Sequence, residues 1–480
     1  MLLSGLGLLV LGVGIARALP IPEDPMGGSA PSFIGAPATP HPIRAALPPR
    51  HPFMAPNGRS NLHNDAYQTD TYRRRGPLGR QMTRTSTFLA HECASVTFDS
   101  EGRIVTICVG LEAPFLAVMD PRSLEIVDQM QLPPRTPGAG AFTDFSGGGY
   151  FYLDHRDRAV FPTNDRHLRV VQVTSGGQLE QVRDYDLTAA VPSGDAIISA
   201  LPDWDGLLWF ASKRGVVGTL DFRSGRIRTR DTKEPNGNSF AVDDTGGVFI
   251  VTDEALYRFD ATRAGRPKVS WRRQYENVGV IKPGQTQAGS GTTPTLLGRR
   301  WVAITDNADP MNVLVLNRRR GVKRRLVCEI PVFRKGAGNT DQSLIGVNRS
   351  LIVENNYGYS GPTATERGGV TEPGLERVAI DRDGRGCHRV WRSRERAPSV
   401  VPKLSLRSGL VYTYTKPPLQ DGTDAWYFTA IDFRSGRTRY KRLAGTGLGY
   451  NNNYAPVTIG PDGTAYVGVL GGLVALRDRR

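Results

Sequence analysis

Eight times along the chain a short apolar run gives way to a tight turn and then to a second apolar or aromatic run. The pairs fall at 94–109, 142–154, 196–211, 239–252, 293–305, 343–354, 401–414 and 455–469. Their turns read Asp-Ser-Glu-Gly, Ser-Gly-Gly-Gly, Asp-Trp-Asp-Gly, Asp-Asp-Thr-Gly-Gly, Gly-Arg-Arg, Val-Asn-Arg, Arg-Ser-Gly and Pro-Asp-Gly. Most of these residue types tolerate tight or positive-φ turns. Each pair therefore predicts a β-hairpin, and the hairpins recur at roughly 40 to 56 residues, close to the length of a propeller blade. No long apolar run at helical spacing competes with this reading.

A second signature follows several hairpins. It is clearest as Thr219-Leu220-Asp221-Phe222-Arg223-Ser224-Gly225 and as Ala430-Ile431-Asp432-Phe433-Arg434-Ser435-Gly436, with looser copies around Asp120, Asp260 and Asp381. A third strand ending in Asp, a turn and a fourth strand make four strands per unit. Such units in series hide their edges by packing radially. The last unit has room for only three strands, and 82–89 lies ready to supply the fourth. The expectation is all-β: an eight-bladed propeller of four-stranded antiparallel blades over 67–480, closed by an N-terminal strand. Gly 55 and Pro 34 in 480 residues agree with a turn-rich fold.

The N-terminus breaks the pattern. Leu2 to Ile15 is apolar, and Ala16-Arg17-Ala18 offers a cleavage site, so 1–18 reads as a signal peptide, with an uncleaved anchor as the rival; the segment before the apolar run carries no Lys or Arg. Residues 19–66, rich in Pro, Ala and Gly, read as a poorly ordered leader or tether. The protein is then secreted, periplasmic or held at the cell envelope, with no spanning helix in the mature form. The four cysteines suit an oxidising compartment. Cys93 and Cys108 flank their turn symmetrically and should pair, leaving Cys328 to Cys387; four buried thiols are the alternative.

The net charge of +15 changes the picture little. Nine of the 61 basic residues are Lys, and the arginines are scattered. No basic helix, zinc finger or RNA-recognition motif is present, so no specific nucleic-acid partner is expected. A solvated surface, or attraction to an anionic cell-surface polymer, fits better. A monomer is expected.

The outer turns resemble the repeat of pyrroloquinoline-quinone-type propellers, in which a strand ending Leu-Asp precedes a small-residue turn and a downstream Trp. Asp260 with Trp271, and Asp381 with Trp391, carry the likeness. The resemblance implies the fold and leaves pyrroloquinoline quinone open as a cofactor, although the adjacent Cys-Cys pair found against the quinone in many members is missing.

Candidate chemistry follows from the hairpins. The start of each first strand and the end of each second strand should open on one face, the channel mouth. That gathers His91, Glu92, Asp154, His155, Asp195, Asn238, Thr292, Thr293, Asp306, Asn307, Asp309, Gln342, Glu354, Asn355, Asn356, Lys403, Tyr414, Lys416 and 451–454. Convergent polar groups at one mouth suggest a site for a small polar molecule. Asn238, Thr292, Thr293, Gln342, Asn453 and Tyr454 are its candidate ligand-binding residues. Asp306, Asn307, Glu354 and Asn355 are hard oxygen donors suited to Ca²⁺ or Mg²⁺. Asp309 would activate water and Lys403 would balance the carboxylates, giving a lactone or ester hydrolase. The set is similar in residue type to gluconolactonase-type propellers, which hold one divalent cation in the channel. Two readings stay open beside it: a propeller that binds a ligand or partner without catalysis, and a quinoprotein oxidoreductase. No Gly-x-Ser-x-Gly elbow or nucleotide-binding loop is present.

Overall fold

A computed structural model describes residues 18–25, 27–111, 113–135, 140 and 143–479. The apolar run and the first two residues of the proposed cleavage site lie outside the described residues. Eight antiparallel sheets follow one another along the chain as the blades of an eight-bladed propeller. Among the described residues the only helical pieces are three short 3-10 turns.

Seven of the eight hairpins fall where the apolar pattern puts them. Blade 5 is typical, with strands Thr295–Leu297, Trp301–Thr305, Asn312–Asn317 and Leu326–Pro331. The first three strands are mostly buried and the fourth is half-exposed, because inner strands are covered by neighbouring blades on both faces. The exception is blade 2. Its inner hairpin pairs Tyr152–Leu153 with Arg158–Pro162, so Ser146–Gly149 is the loop before the blade rather than its turn. Asp154 and His155 consequently leave the mouth; Asp154 Oδ1 accepts from the Arg156 and Arg158 N–H groups at 2.8 and 3.0 Å. Glycine-rich sequence looked like a turn, but the Asp-capped one won.

That turn is a repeated device. Asp99, Asp154, Asp203 and Asp243 each accept the N–H four residues on, in blades 1 to 4. The outer signature is a second one: Asp120, Asp221 and Asp432 each accept two N–H groups of the following turn. The residue after each turn-opening Asp or Asn offers its carbonyl to the adjacent blade. Tyr185 donates to Phe222 O at 3.0 Å, Trp271 to Arg318 O at 3.2 Å, Trp391 to Phe433 O at 2.8 Å and Tyr466 to Pro121 O at 2.9 Å.

Closure occurs as expected. Thr83–Phe88 forms the outer strand of the last blade, beside Gly472–Arg477. Cys93 pairs with Cys108 within blade 1, and Cys328 with Cys387 across the outer strands of blades 5 and 6.

The N-terminal segment differs most from expectation. Phe33–Gly35 adds an outer strand to blade 7, and Thr71–Tyr72 lies parallel to its inner strand. Between them, residues 51–72 cross the end of the channel opposite the mouth and are largely buried. We call this stretch the strap. Backbone N–H groups of six inner strands donate to its carbonyls: Phe98 to Arg59, Leu153 to Ser60, Val242 to Ala66, Leu296 to Tyr67, Gly346 to Thr69 and Leu404 to Asp70. An inner strand has no partner on its channel side, so these donors need acceptors, and the strap supplies them. Its path bends sharply at Asn64, Gln68 and Asp70, with φ of 78°, 58° and 53°. Poverty in apolar residues suggested disorder; backbone hydrogen bonding and buried polar pairs order the strap instead.

Candidate functional site

The strap floors a cavity on the propeller axis. Leu62 and His63 form its base, and Glu92, Tyr150, Thr293, Gln342, Ser343, Asn453 and Tyr454 are among its walls. Its solvent-accessible volume is about 50 Å³, room for a few water molecules or a small ligand fragment.

The base is a buried ionic cluster. Asp70 lies 3.1 and 3.2 Å from His63 Nδ1 through its two oxygens, accepts from Ser343 Oγ at 2.5 Å, and is paired with Lys403. Lys403 Nζ also donates to Leu62 O at 2.5 Å. Burial alone would raise the Asp70 carboxyl, but Lys403 and His63 outweigh it and hold it below its ordinary value. Burial lowers His63, against the pull of Asp70. A neutral imidazole that gives its Nδ1 proton to Asp70 keeps a lone pair on Nε2. That atom is buried and has no hydrogen-bond partner, and the ring stacks at 6.2 Å on Tyr150 in the cavity wall.

This is not a serine triad. Ser343 and Asp70 address the same imidazole nitrogen, and the serine hydroxyl points its proton at the carboxylate. In a triad the two partners occupy opposite nitrogens.

Three further carboxyls line the cavity: Asp144, which pairs with Lys213 at 2.7 Å, and Glu92 and Asp341. Burial holds Glu92 well above its ordinary value, favouring the protonated form; Oε2 accepts from Asn453 at 3.4 Å and Oε1 has no hydrogen-bond partner. Asp341 is pushed up to about 7 by burial, although Thr286 donates to it through N and Oγ1 at 2.7 Å. Tyr359 reaches Asn451 and Asn453 at 2.9 and 3.0 Å, and its ring meets Tyr454 edge-on.

Of the expected ligand-binding residues, Thr293, Gln342, Asn453 and Tyr454 line this cavity. Thr292 instead accepts the Thr305 N–H at 3.1 Å, and Asn238 ties Ser290 O at 3.0 Å. The four expected cation donors are held separately. Asp306 accepts from Ala308 N, Asn312 N and Asn312 Nδ2. Asn307 donates to Asn277 and Val280. Glu354 receives Asn356 Nδ2, and Asn355 receives Asn339 N and Tyr357 N. The loop 277–290 reaches between the two pairs, touching Asn307 at Val280 and Asn339 at Pro283. Asp306, Glu354 and Asn355 are thus engaged by local partners, while Asn307 Oδ1 is buried without a hydrogen-bond partner. Among the described residues no group of three or more His, Cys, Asp or Glu is arranged for a metal.

Lys403 does not balance Asp306 and Glu354 as the sequence predicts; its side chain serves Asp70, because an inner-strand residue points to the axis and the strap places a carboxylate there. The cation that feels Asp306 is Lys282, whose Nζ donates to Ala308 O at 2.5 Å. Asp309 is exposed and accepts the Gly336 N–H at 2.7 Å, outside the cavity lining. Sequence reasoning missed His63, which belongs to the segment read as leader, and Asp70, which lies just beyond it and ahead of the first hairpin. The signal available was the dense Asn, Asp, His and Thr content of 61–71.

No family model matches the chain. A protein of Archaeoglobus fulgidus, described only as uncharacterized, is 28% identical over 321 residues, which are 60% of this chain and 62% of the relative. The chain thus spans about three-fifths of that relative's length. Among solved structures, a streptogramin B lyase aligns with a TM-score of 0.40 and 10% identity over 82% of this chain and 97% of its own. A functionally unknown protein from Desulfotomaculum acetoxidans gives 0.41 and 9% over 76% and 96%. The propeller assignment rests on the sheet topology itself.

Proposed function

We propose that the chain is an exported, monomeric acid–base enzyme that hydrolyses a small polar ester or lactone in the axial cavity. The observation that carries this reading is His63: a neutral imidazole fixed through Nδ1 by Asp70, with a buried, unpartnered Nε2 at the base of a cavity. Such a nitrogen is a general base for water. Glu92, carrying its proton, is the matching donor to a carbonyl oxygen. Gln342, Asn453 and Thr293 supply neutral hydrogen-bonding groups to orient a substrate rich in oxygen. The disulfides and the apolar N-terminal run support export.

The amide-rich lining and the lack of a poised nucleophile also favour a second reading, a non-catalytic binding propeller. A panel of lactones and aryl esters, assayed with chelator present, separates the two. Turnover that survives chelator and falls about 100-fold or more in His63→Gln, with KM little changed, is expected. Folded protein that turns over nothing on the panel yet binds a member saturably overturns the enzyme reading.

A further inference from the structure

The far side of the strap holds a second site of different chemistry. A groove between the strap and blade 7 is lined by Arg50, Arg73 and Arg74 from the N-terminal segment and by Arg407 from the first turn of blade 7. Arg50, Arg73 and Arg407 are exposed, and among the described residues none has an acidic partner. Arg74 lies over the Tyr72 ring at 5.5 Å and donates through Nη2 to Gly58 O at 3.1 Å, while its Nη1 is buried without a hydrogen-bond partner.

The one carboxylate in the lining does little to neutralise them. Asp65 spends its oxygens on Tyr67 N at 2.9 Å and on Thr69 N and Oγ1 at 3.3 and 2.6 Å. Burial also pushes it up to about 7, so near neutral pH it carries only part of a charge. Four guanidinium groups thus face one groove against a fraction of one negative charge. Like charges repel across such a groove unless an anion joins them. Guanidinium groups arriving from several directions match a tetrahedral oxyanion better than a planar carboxylate, because each can donate to a different oxygen.

We propose that this groove binds a phosphate or sulfate group and that the bound group fastens the strap to blade 7. Three of the arginines belong to the N-terminal segment and the fourth to the ring, so an oxyanion between them is a clasp. The site is separate from the axial cavity and does not depend on whether that cavity is catalytic. The group comes either as a free ion or on a polymer of the cell surface, and the two sources are separable.

The test uses the full chain and Arg73→Ala/Arg407→Ala. Both positions are exposed, and Arg73→Gln/Arg407→Gln serves as a second pair should the first unfold. Thermal midpoints are measured with added inorganic phosphate at ionic strength held constant with sodium chloride. A saturable rise of a few degrees in the native protein, absent from the double variant, is expected. Limited proteolysis within 48–74 should slow under the same conditions. Retention on immobilised heparin at constant pH provides the second arm, with earlier elution expected from the variant. A phosphate response without a heparin difference assigns the free ion, and a heparin difference without a phosphate response assigns polymer-borne groups. Variants indistinguishable from the native protein in both arms overturn the proposal.

Discussion

The ring and the strap are built on opposite economies of contact. In the ring each device is copied: the Asp-capped first turn appears in four blades, and the side chain donating to the next blade's outer turn appears four times. In the strap each contact is made once. Asp70 alone joins His63, Ser343 and Lys403, and the strap's carbonyls alone satisfy the channel side of six inner strands. Repetition spreads the consequence of losing any one contact, whereas a single-copy buried charge pair concentrates it. The candidate base sits on the single-copy side, which ties the chemistry of the cavity to the integrity of the strap.

The strongest way to break this comparison is to remove Asp70. Asp70→Ala leaves Lys403, fully buried, without its counter-charge. Losing one partner of a buried pair costs about 3–5 kcal/mol, read as a lower urea midpoint at pH 7. Lys403→Met added to Asp70→Leu should recover much of that loss, because the uncompensated charge has gone. The pH dependence has a definite sign. The folded carboxyl of Asp70 lies below its ordinary value, so its contribution is present above the unfolded value and disappears as pH falls through the folded one. A single variant that costs less than about 1 kcal/mol would place the strap on the same footing as the ring.

Most of the ring was legible because it repeats. Apolar runs such as 301–305 and 350–354 with their turns recur until the period is unmistakable, and closure by 83–88 follows from a unit one strand short. Blade 2 was misplaced by one turn, since Ser-Gly-Gly-Gly and Asp-His-Arg-Asp both satisfy local turn chemistry and only packing chooses between them. The strap was illegible for a deeper reason. Residues such as Asn61, Asp65 and Asp70 carry no periodicity, and their burial is meaningful only once six inner strands present unpaired donors. Site prediction inherited both outcomes. Thr293, Gln342, Asn453 and Tyr454 follow from hairpin geometry and do line the cavity. Lys403 was located correctly on its strand but assigned to the wrong carboxylates, because its true partner lay in the strap.

The buried carboxyls near the mouth sharpen the contrast at intermediate cost. Asp306 has no basic group bonded to it, and burial pushes it up to about 6 from 3.8. The folded state therefore holds its proton more tightly than the unfolded chain. Stability from this group falls as pH rises from about 4 to 6, the reverse of Asp70. Asp306→Asn keeps an oxygen for the Ala308 and Asn312 N–H groups and removes the charge. The variant should gain up to about 3 kcal/mol over the native protein at pH 7 and little at pH 4, measured by urea unfolding across that range. A variant that is less stable than the native protein at pH 7 would mean that a compensating cation, such as Lys282, which interacts electrostatically with Asp306, keeps Asp306 ionised after all.

The smallest expected effect tests redundancy in the ring directly. Trp391 donates its indole N–H to Phe433 O at 2.8 Å, and Trp271 makes the equivalent bond to Arg318 O at 3.2 Å. Neither acceptor is orphaned when the indole is lost: Arg377 also reaches Phe433 O, and Arg258 also reaches Arg318 O, each at 3.1 Å. Trp391→Phe should therefore cost only about 1 kcal/mol, the net worth of a hydrogen bond whose partner stays satisfied, plus what the smaller ring gives up in packing. The two tryptophans sit on blades 4 and 6 and share no partner, so Trp271→Phe with Trp391→Phe should cost the sum of the singles within about 0.5 kcal/mol. Proteolysis of the strap should be unchanged in all three variants, because nothing in 51–72 touches either indole's acceptor turn except through Arg318 and Tyr67. That exception sets the discriminating case. If Trp271→Phe loosens the strap while Trp391→Phe does not, the outer turn of blade 5 is coupled to the floor of the cavity through Arg318, and the ring is less modular than its repeats suggest.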